Sequence, residues 1–230
     1  MELFARAANR SDVLPRQPAG TKADGVYLAL KEQLIEGERA YGTTLSTAEL
    51  ALEFGVSRRP VMDAMMRLEA LRLIEIIPQV GCRVVVPDRR MVREHFYAAG
   101  VLDGAAARLA ASHASAPDLS LLHDALIESA AGAHALDQRA FQDANKRFHM
   151  ALLVAAGNRR IADLAYSSWD LSDFYLQRRS PQDLRRSHEE HEAIYEAIER
   201  RNPERARDTA EAHLARFGDE AILPHETAGS

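Results

Sequence analysis

The chain has 230 residues, 47% hydrophobic and 27% charged, with a formal net charge of −5. That length suits one large domain or two modest ones, each with enough chain for a core. It excludes much else: no apolar run approaches the ~20 residues of a membrane span, the lone Cys82 rules out an intramolecular disulfide framework, and the acidic balance rules out a uniformly basic nucleic-acid coat.

The first twenty residues have no sustained apolar stretch of the kind a secretion signal needs, and with the single cysteine they point to a reducing cytoplasm. Residues 1–20 carry no period and read as a flexible arm. Charge is uneven beyond it. Residues 1–90 hold 13 Lys+Arg and 12 Asp+Glu, while residues 91–230 hold 16 and 22. A near-neutral module joined to an acidic one suggests different partners for each.

From Asp24 an apolar spacing through Val26, Leu30 and Leu34 predicts a short amphipathic helix that Gly37 ends. A loop at Tyr41–Thr44 follows. Ser46-Thr47-Ala48-Glu49 is a capping box for a second short helix, stopped at Gly55. Ser57 can cap a third helix, with Pro60 tolerated in its first turn and Val61, Met65, Leu68 and Leu71 inward. The period then changes: Leu73–Pro78 and Cys82–Pro87 are β-branched runs forming a hairpin. Residues 21–88 therefore read as three helices and a β-hairpin. Charged residues 88–91 read as the linker. From 92 to 222 everything reads as helix, in six segments near 92–112, 117–132, 137–155, 158–178, 180–201 and 203–218. The expected fold is mainly α: a winged helix-turn-helix, then an all-α antiparallel bundle of about six helices.

Two short helices joined by the turn Phe54-Gly55-Val56-Ser57, with Arg58 and Arg59 opening the second, describe a helix-turn-helix, and the hairpin supplies its wing. Arginine bonds guanine bidentately or pairs with phosphate, and a helix N-terminus adds affinity for phosphate. Ser57, Arg58, Arg59, Arg67 and Gly81 are the candidate DNA contacts. Gly81 either lets the backbone approach a minor-groove phosphate or simply closes the hairpin. The wing stretch from Gln79 to Arg83 is intermediate, and Lys31 and Arg39 read as solvated charges.

The stretch LSTAELALEFGVSRRPVMDAMMRLEALRLIEIIPQVGCRVV, Leu45 to Val85, resembles the N-terminal domain of the GntR family of bacterial transcription regulators. The likeness implies a homodimer on a pseudo-palindromic double-stranded operator. One departure stands out. The family usually has Arg-Glu after Pro-Val, where this chain has Met62-Asp63, and in relatives that arginine contacts DNA.

In the acidic half, Asn145 and His149 are four apart on one helix and share a face. His191 and His213 each lie 11 residues from Asn202, the turn between the last two helices. Equal distances from the turn of an antiparallel pair put both at one height, ~16 Å from the loop. Singly, each histidine fits a helix surface or a hydrogen-bonded core. Together with His149 they can form a three-imidazole site suited to zinc, nickel or a similar divalent ion. His95, His113, His123, His134 and His225 read as solvent-facing. His188-Glu189-Glu190-His191 is not a zinc-protease motif, because its histidines are three apart rather than four.

Residues 92–217 also resemble the effector domain (FCD) of the FadR subgroup, through Asn145–His149, Ala155–Asn158, Glu190–Ile198 and His213-Leu214. Six helices suit its VanR-like branch. The likeness implies one divalent ion per chain, held by Asn145, His149, His191 and His213, and a small-molecule effector, an organic or sugar acid. Where many relatives have Asp as the first ligand, this chain has Asn145, a weaker donor. The effector-holding Arg of the domain's first helix is missing from Tyr97–Asp103, which leaves Arg147, Arg108 and Arg178 as candidate anchors. The leading reading is therefore a ligand-responsive repressor. The alternatives are a metal-dependent enzyme built on the histidines, which lacks a placed acid or base, and a purely architectural DNA protein, which the acidic half disfavours.

Overall fold

The structure, a computed structural model, describes residues 20–78, 81–177 and 180–221. The predicted arm (save Gly20), Gln79, Val80, Arg178 and His225 lie outside the described residues. The chain divides into two compact units. Within the described residues, one comprises 20–92, 168–177 and Ala221, and the other 93–167 and 180–220.

The first unit opens with α1 (Lys22–Ile35), whose N-cap Thr21 and Asp24 form a capping box. Strand β1 (Thr44–Leu45) leads into α2 (Thr47–Glu53) and α3 (Arg58–Ala70), followed by β2 (Ile74–Ile77) and β3 (Gly81–Val84). The strands form an antiparallel sheet of order β1-β3-β2, with Thr44 opposite Arg83 and Ile76 opposite Cys82. Strand β1 was not anticipated: its two residues have no alternation to read, and only pairing with β3 defines them. Leu30 and Leu34 of α1, Val61 and Leu68 of α3, and Val84 of β3 are fully buried, each side chain stabilising the core by ~1.5–3 kcal/mol.

The expected linker is shorter than predicted. Arg89, Arg90 and Met91 already belong to α4 (Arg89–His113), because the Asp88 carboxylate accepts from the Met91 N–H at 2.7 Å and starts the helix.

The remaining helices are α5 (Ala116–Ala135), α6 (Gln138–Ala156), α7 (Arg159–Tyr175), α8 (Pro181–Glu199) and α9 (Pro203–Glu220). The capping boxes of Ser115 with Asp118 and Ser180 with Asp183, each with proline in the first turn, set two of these starts. Helix α5 packs on α6 and α8, and α8 on α9. Phe96, Phe141, Phe148, Leu122 and Ile198 are fully buried between them. Helix α7 is shared: from Ser168 onward it belongs with the first unit. There Asp170 pairs with Lys31 at 2.7 Å, and the Phe174 carbonyl accepts from the Tyr41 hydroxyl at 2.5 Å. Among the described residues, no helix is long and apolar enough to cross a membrane.

Candidate functional site

In the helix-turn-helix unit, the structure sorts the cations. Arg58 and Arg59 open α3, are exposed, and make no ion pair or hydrogen bond among the described residues. Ser57 sits at the N-cap, but its side chain makes no capping bond, contrary to the predicted cap. Arg67, also among the expected DNA contacts, is engaged within the unit. Its guanidinium bonds Asp24 at 2.7 Å and lies 3.7 Å from the centroid of the Tyr27 ring, so it ties α3 to α1. The reason is geometric: nine residues after Arg58, it has turned to the face packed on α1. Lys31 is held by Asp170, and Arg39 by Glu53. Gly81 has φ +136°, and a Cβ there would come 2.7 Å from the Leu45 carbonyl oxygen. The close approach of β1 and the positive φ are by themselves enough to require glycine here.

In the helical unit, α6, α8 and α9 bring His149, His191 and His213 together. One ring nitrogen from each lies within 4.8 Å of the others, and all three side chains are buried. His191 Nε2 is 3.1 Å from His213 Nε2, as their equal distance from the turn predicted. Arg205 N–H donates to Asn202 Oδ1 at 3.1 Å, which starts α9 where expected. His191 stacks on Phe148 at 4.4 Å, which fixes its ring.

Two carboxylates that sequence reasoning missed orient the cluster. Asp103 of α4 takes a hydrogen bond from His149 Nδ1 at 2.6 Å, with both side chains buried. Glu190 takes one from His213 Nδ1 at 2.7 Å and is itself held by Arg216. A carboxylate only accepts, so each Nδ1 carries the hydrogen, and in a neutral ring Nε2 then keeps its lone pair. Nε2 is therefore the atom that His149 and His213 would present to a metal, and on His213 it faces His191 Nε2. Burial pushes His213 down to about 4 despite Glu190, so the ring is neutral near pH 7. Burial tends to raise Glu190, but its bonds from His213 and Arg216 override this and hold it below the usual range.

A signal for Asp103 was present. It falls on the buried stripe of α4 with Phe96, Ala99, Ala106 and Ala110, and a carboxylate in such a stripe needs a partner. Glu190 had no comparable signal, since it is only half-buried and neighbours many charges.

Asn145 lies one turn before His149 on α6. Its Oδ1 is buried and has no hydrogen-bond partner among the described residues. An orphaned buried oxygen one turn before His149, on a helix that brings it to a three-imidazole cluster, fits a divalent cation: nitrogen donors, a neutral oxygen and carboxylates orienting two of the imidazoles are what such an ion takes. His188 stays outside the cluster, with Nδ1 2.8 Å from Ser129 Oγ.

Arg147, the expected effector anchor, is engaged with a neighbouring helix. It pairs with Glu128 of α5 at 2.5 Å. Two positions before His149, its side chain leaves α6 about 200° away from the imidazole. Arg108 is exposed and pairs with Glu204 at 2.8 Å.

Comparison with known proteins agrees with both units. The family model "Bacterial regulatory proteins, gntR family" matches residues 22–84, and that of the FCD domain matches 94–216. The "Galactonate operon transcriptional repressor" of Escherichia coli K12 is 27% identical over 221 residues, covering 84% of this chain and 94% of that one. The "Probable D-xylose utilization operon transcriptional repressor" of Paenarthrobacter nicotinovorans is 29% identical, covering 80% and 82%. Among solved structures, E. coli McbR/YncC superposes with a TM-score of 0.73 at 21% identity, covering 86% of this chain and 95% of the other, a likeness of fold.

Proposed function

The chain belongs to the gntR family of bacterial regulatory proteins and carries an FCD domain, and from that premise we propose a metabolite-controlled repressor whose helical unit senses through a bound divalent ion. It is a transcription regulator of the repressor type, not an enzyme.

In the DNA-reading half, Arg58 and Arg59 are the exposed, unengaged cations at the α3 N-terminus. They meet the edges or phosphates of the major groove, with the Ser57 hydroxyl beside them. Two copies of the chain read the two halves of a pseudo-palindromic operator in the cytoplasm.

The sensing half rests on one observation: His149, His191 and His213 converge to within 4.8 Å in a buried site. Asn145 supplies the fourth donor. One divalent ion per chain, zinc or nickel, would be held by these residues and would supply a Lewis-acid centre there. Asp103 and Glu190 keep two imidazoles in the tautomer that presents Nε2. With Arg147 tied to Glu128, the ion held by His149, His191 and His213 would supply the anchor for an effector's acid group. The similarity to a galactonate operon repressor supports an organic or sugar acid as the effector class.

The test is elemental analysis of tag-free protein, paired with operator titration across a salt series. About one divalent ion per chain, lost in His149→Ala, is the expected result. Absence of metal after incubation with zinc, nickel and manganese would sink the metal site while leaving the DNA-binding reading intact.

A further inference from the structure

The outward face of α3 changes character along its length. Arg58 and Arg59 make its first turn cationic, but the next exposed positions on that face are Met62 and Met66, 37% and 52% exposed. Spacings of three and four residues put Arg59, Met62 and Met66 on one stripe, with Arg58 one turn before Met62.

The methionine is not a stray surface residue. Its sulfur lies 3.7 Å from the Thr47 hydroxyl at the start of α2. Met62, Thr47, Arg58, Ile77 and Gly81 line one groove of about 460 Å³, bounded by α2, α3 and the wing. The groove therefore has a cationic rim beside an apolar floor.

We propose that Met62 is a specificity-determining residue that reads the C5-methyl group of a thymine in the major groove of the operator. The reading rests on the DNA-binding function above. A charged or amide side chain at this place would seek base-edge donors and acceptors, whereas a flexible thioether, whose weakly accepting sulfur is turned to Thr47, offers mainly apolar contact. The thymine methyl is the one apolar group that base pairs present in the major groove. Four residues of helix advance about 6 Å, close to two base-pair steps, so the thymine lies about two pairs from the position that Arg58 engages. Thr47 keeps the side chain seated between α2 and α3. Asp63, the next residue, disfavours a phosphate at this point of the helix.

The experiment starts from the operator that full-length protein selects from random duplexes. Each thymine of one half-site is then replaced singly by deoxyuridine, which removes only the methyl. At one thymine, the wild-type protein should lose about 3- to 5-fold in affinity, the scale of one buried methyl group. Met62→Ala should bind the two duplexes equally, and Met62→Leu should restore the difference. Cytosine at that position should bind worse than 5-methylcytosine for wild type only. Far-UV circular dichroism and a melting temperature of Met62→Ala that match wild type show that the exposed substitution leaves the fold intact. If a sequence is selected but deoxyuridine is tolerated at every position, or costs wild type and Met62→Ala alike, Met62 does not read thymine and the DNA-binding function survives. If no sequence is selected, both fail.

Discussion

Replacing Asp103 tests the sensing site at its least expected member. The carboxylate sits 2.6 Å from His149 Nδ1, with side-chain exposures of 4% and 8%. Solvent therefore barely screens the bond, and a hydrogen bond to an ionised group in such a place contributes ~1.5–3 kcal/mol. Loss of an outer partner of a ligating histidine typically costs ~10–100-fold in metal affinity, or ~1.4–2.8 kcal/mol, the same range. Asp103→Asn keeps an acceptor but removes the charge, so it should fall at the low end. Asp103→Ala frees the ring to rotate and should fall at the high end. It also leaves a buried N–H without its acceptor, which should cost the metal-free fold ~1–3 kcal/mol. Zinc competition against a chromophoric chelator reads the first effect, and urea unfolding of metal-free protein reads the second. If folded Asp103→Ala bound zinc as tightly as wild type, then Asp103 would not orient His149 toward an ion, and the assignment of Nε2 as the donor would fall with it.

Further outcomes follow from the structure. Asn145→Asp, which puts a carboxylate where a neutral oxygen is orphaned, should tighten zinc binding in the same competition assay, and an unchanged affinity would remove residue 145 from the ligand set. Arg58→Ala should weaken operator binding by ~1–3 kcal/mol if the arginine reads a base, while Arg67→Ala, which releases Asp24 and Tyr27, should lower the melting temperature and spare the affinity of the folded protein. Gly132→Ala would drive a Cβ to 2.8 Å from the Phe141 nitrogen, a backbone atom that cannot step aside, and should destabilise the helical unit by ~1–3 kcal/mol in thermal unfolding. Cys82 is buried and its thiol is pushed up to about 11 by that burial, with Glu69 adding to it; a thiol reagent at pH 8 should label it only as the unit unfolds, and rapid labelling of native protein would contradict the packing under β1.

Helix starts were legible because their causes are local. Ser115, Ser180 and Asn202 each bond a backbone N–H three residues on, a reach that any reader of the chain can see. The contact of His191 with His213 was legible for a related reason: a short turn at Asn202 makes an antiparallel pair whose register follows from counting. The turn chemistry around Gly55 and the cationic opening of α3 were local in the same way.

Tertiary structure alone decided the rest. Asp103 and His149 are 46 residues apart, and Arg67 and Asp24 are 43 apart. No propensity acts over such distances, so the sequence could not say which imidazole one carboxylate bonds, or that another pairs with an arginine of α3. Strand β1 exists only because β3 offers it partners. Helix α7 reads from sequence as one amphipathic segment, yet its last turns belong with the first unit, where Asp170 and Phe174 meet Lys31 and Tyr41. Local hydrogen bonding and periodicity determine which residues are helical and which face is apolar. Which charges are left unengaged on the surface, and which are consumed inside, is settled only when distant segments pack.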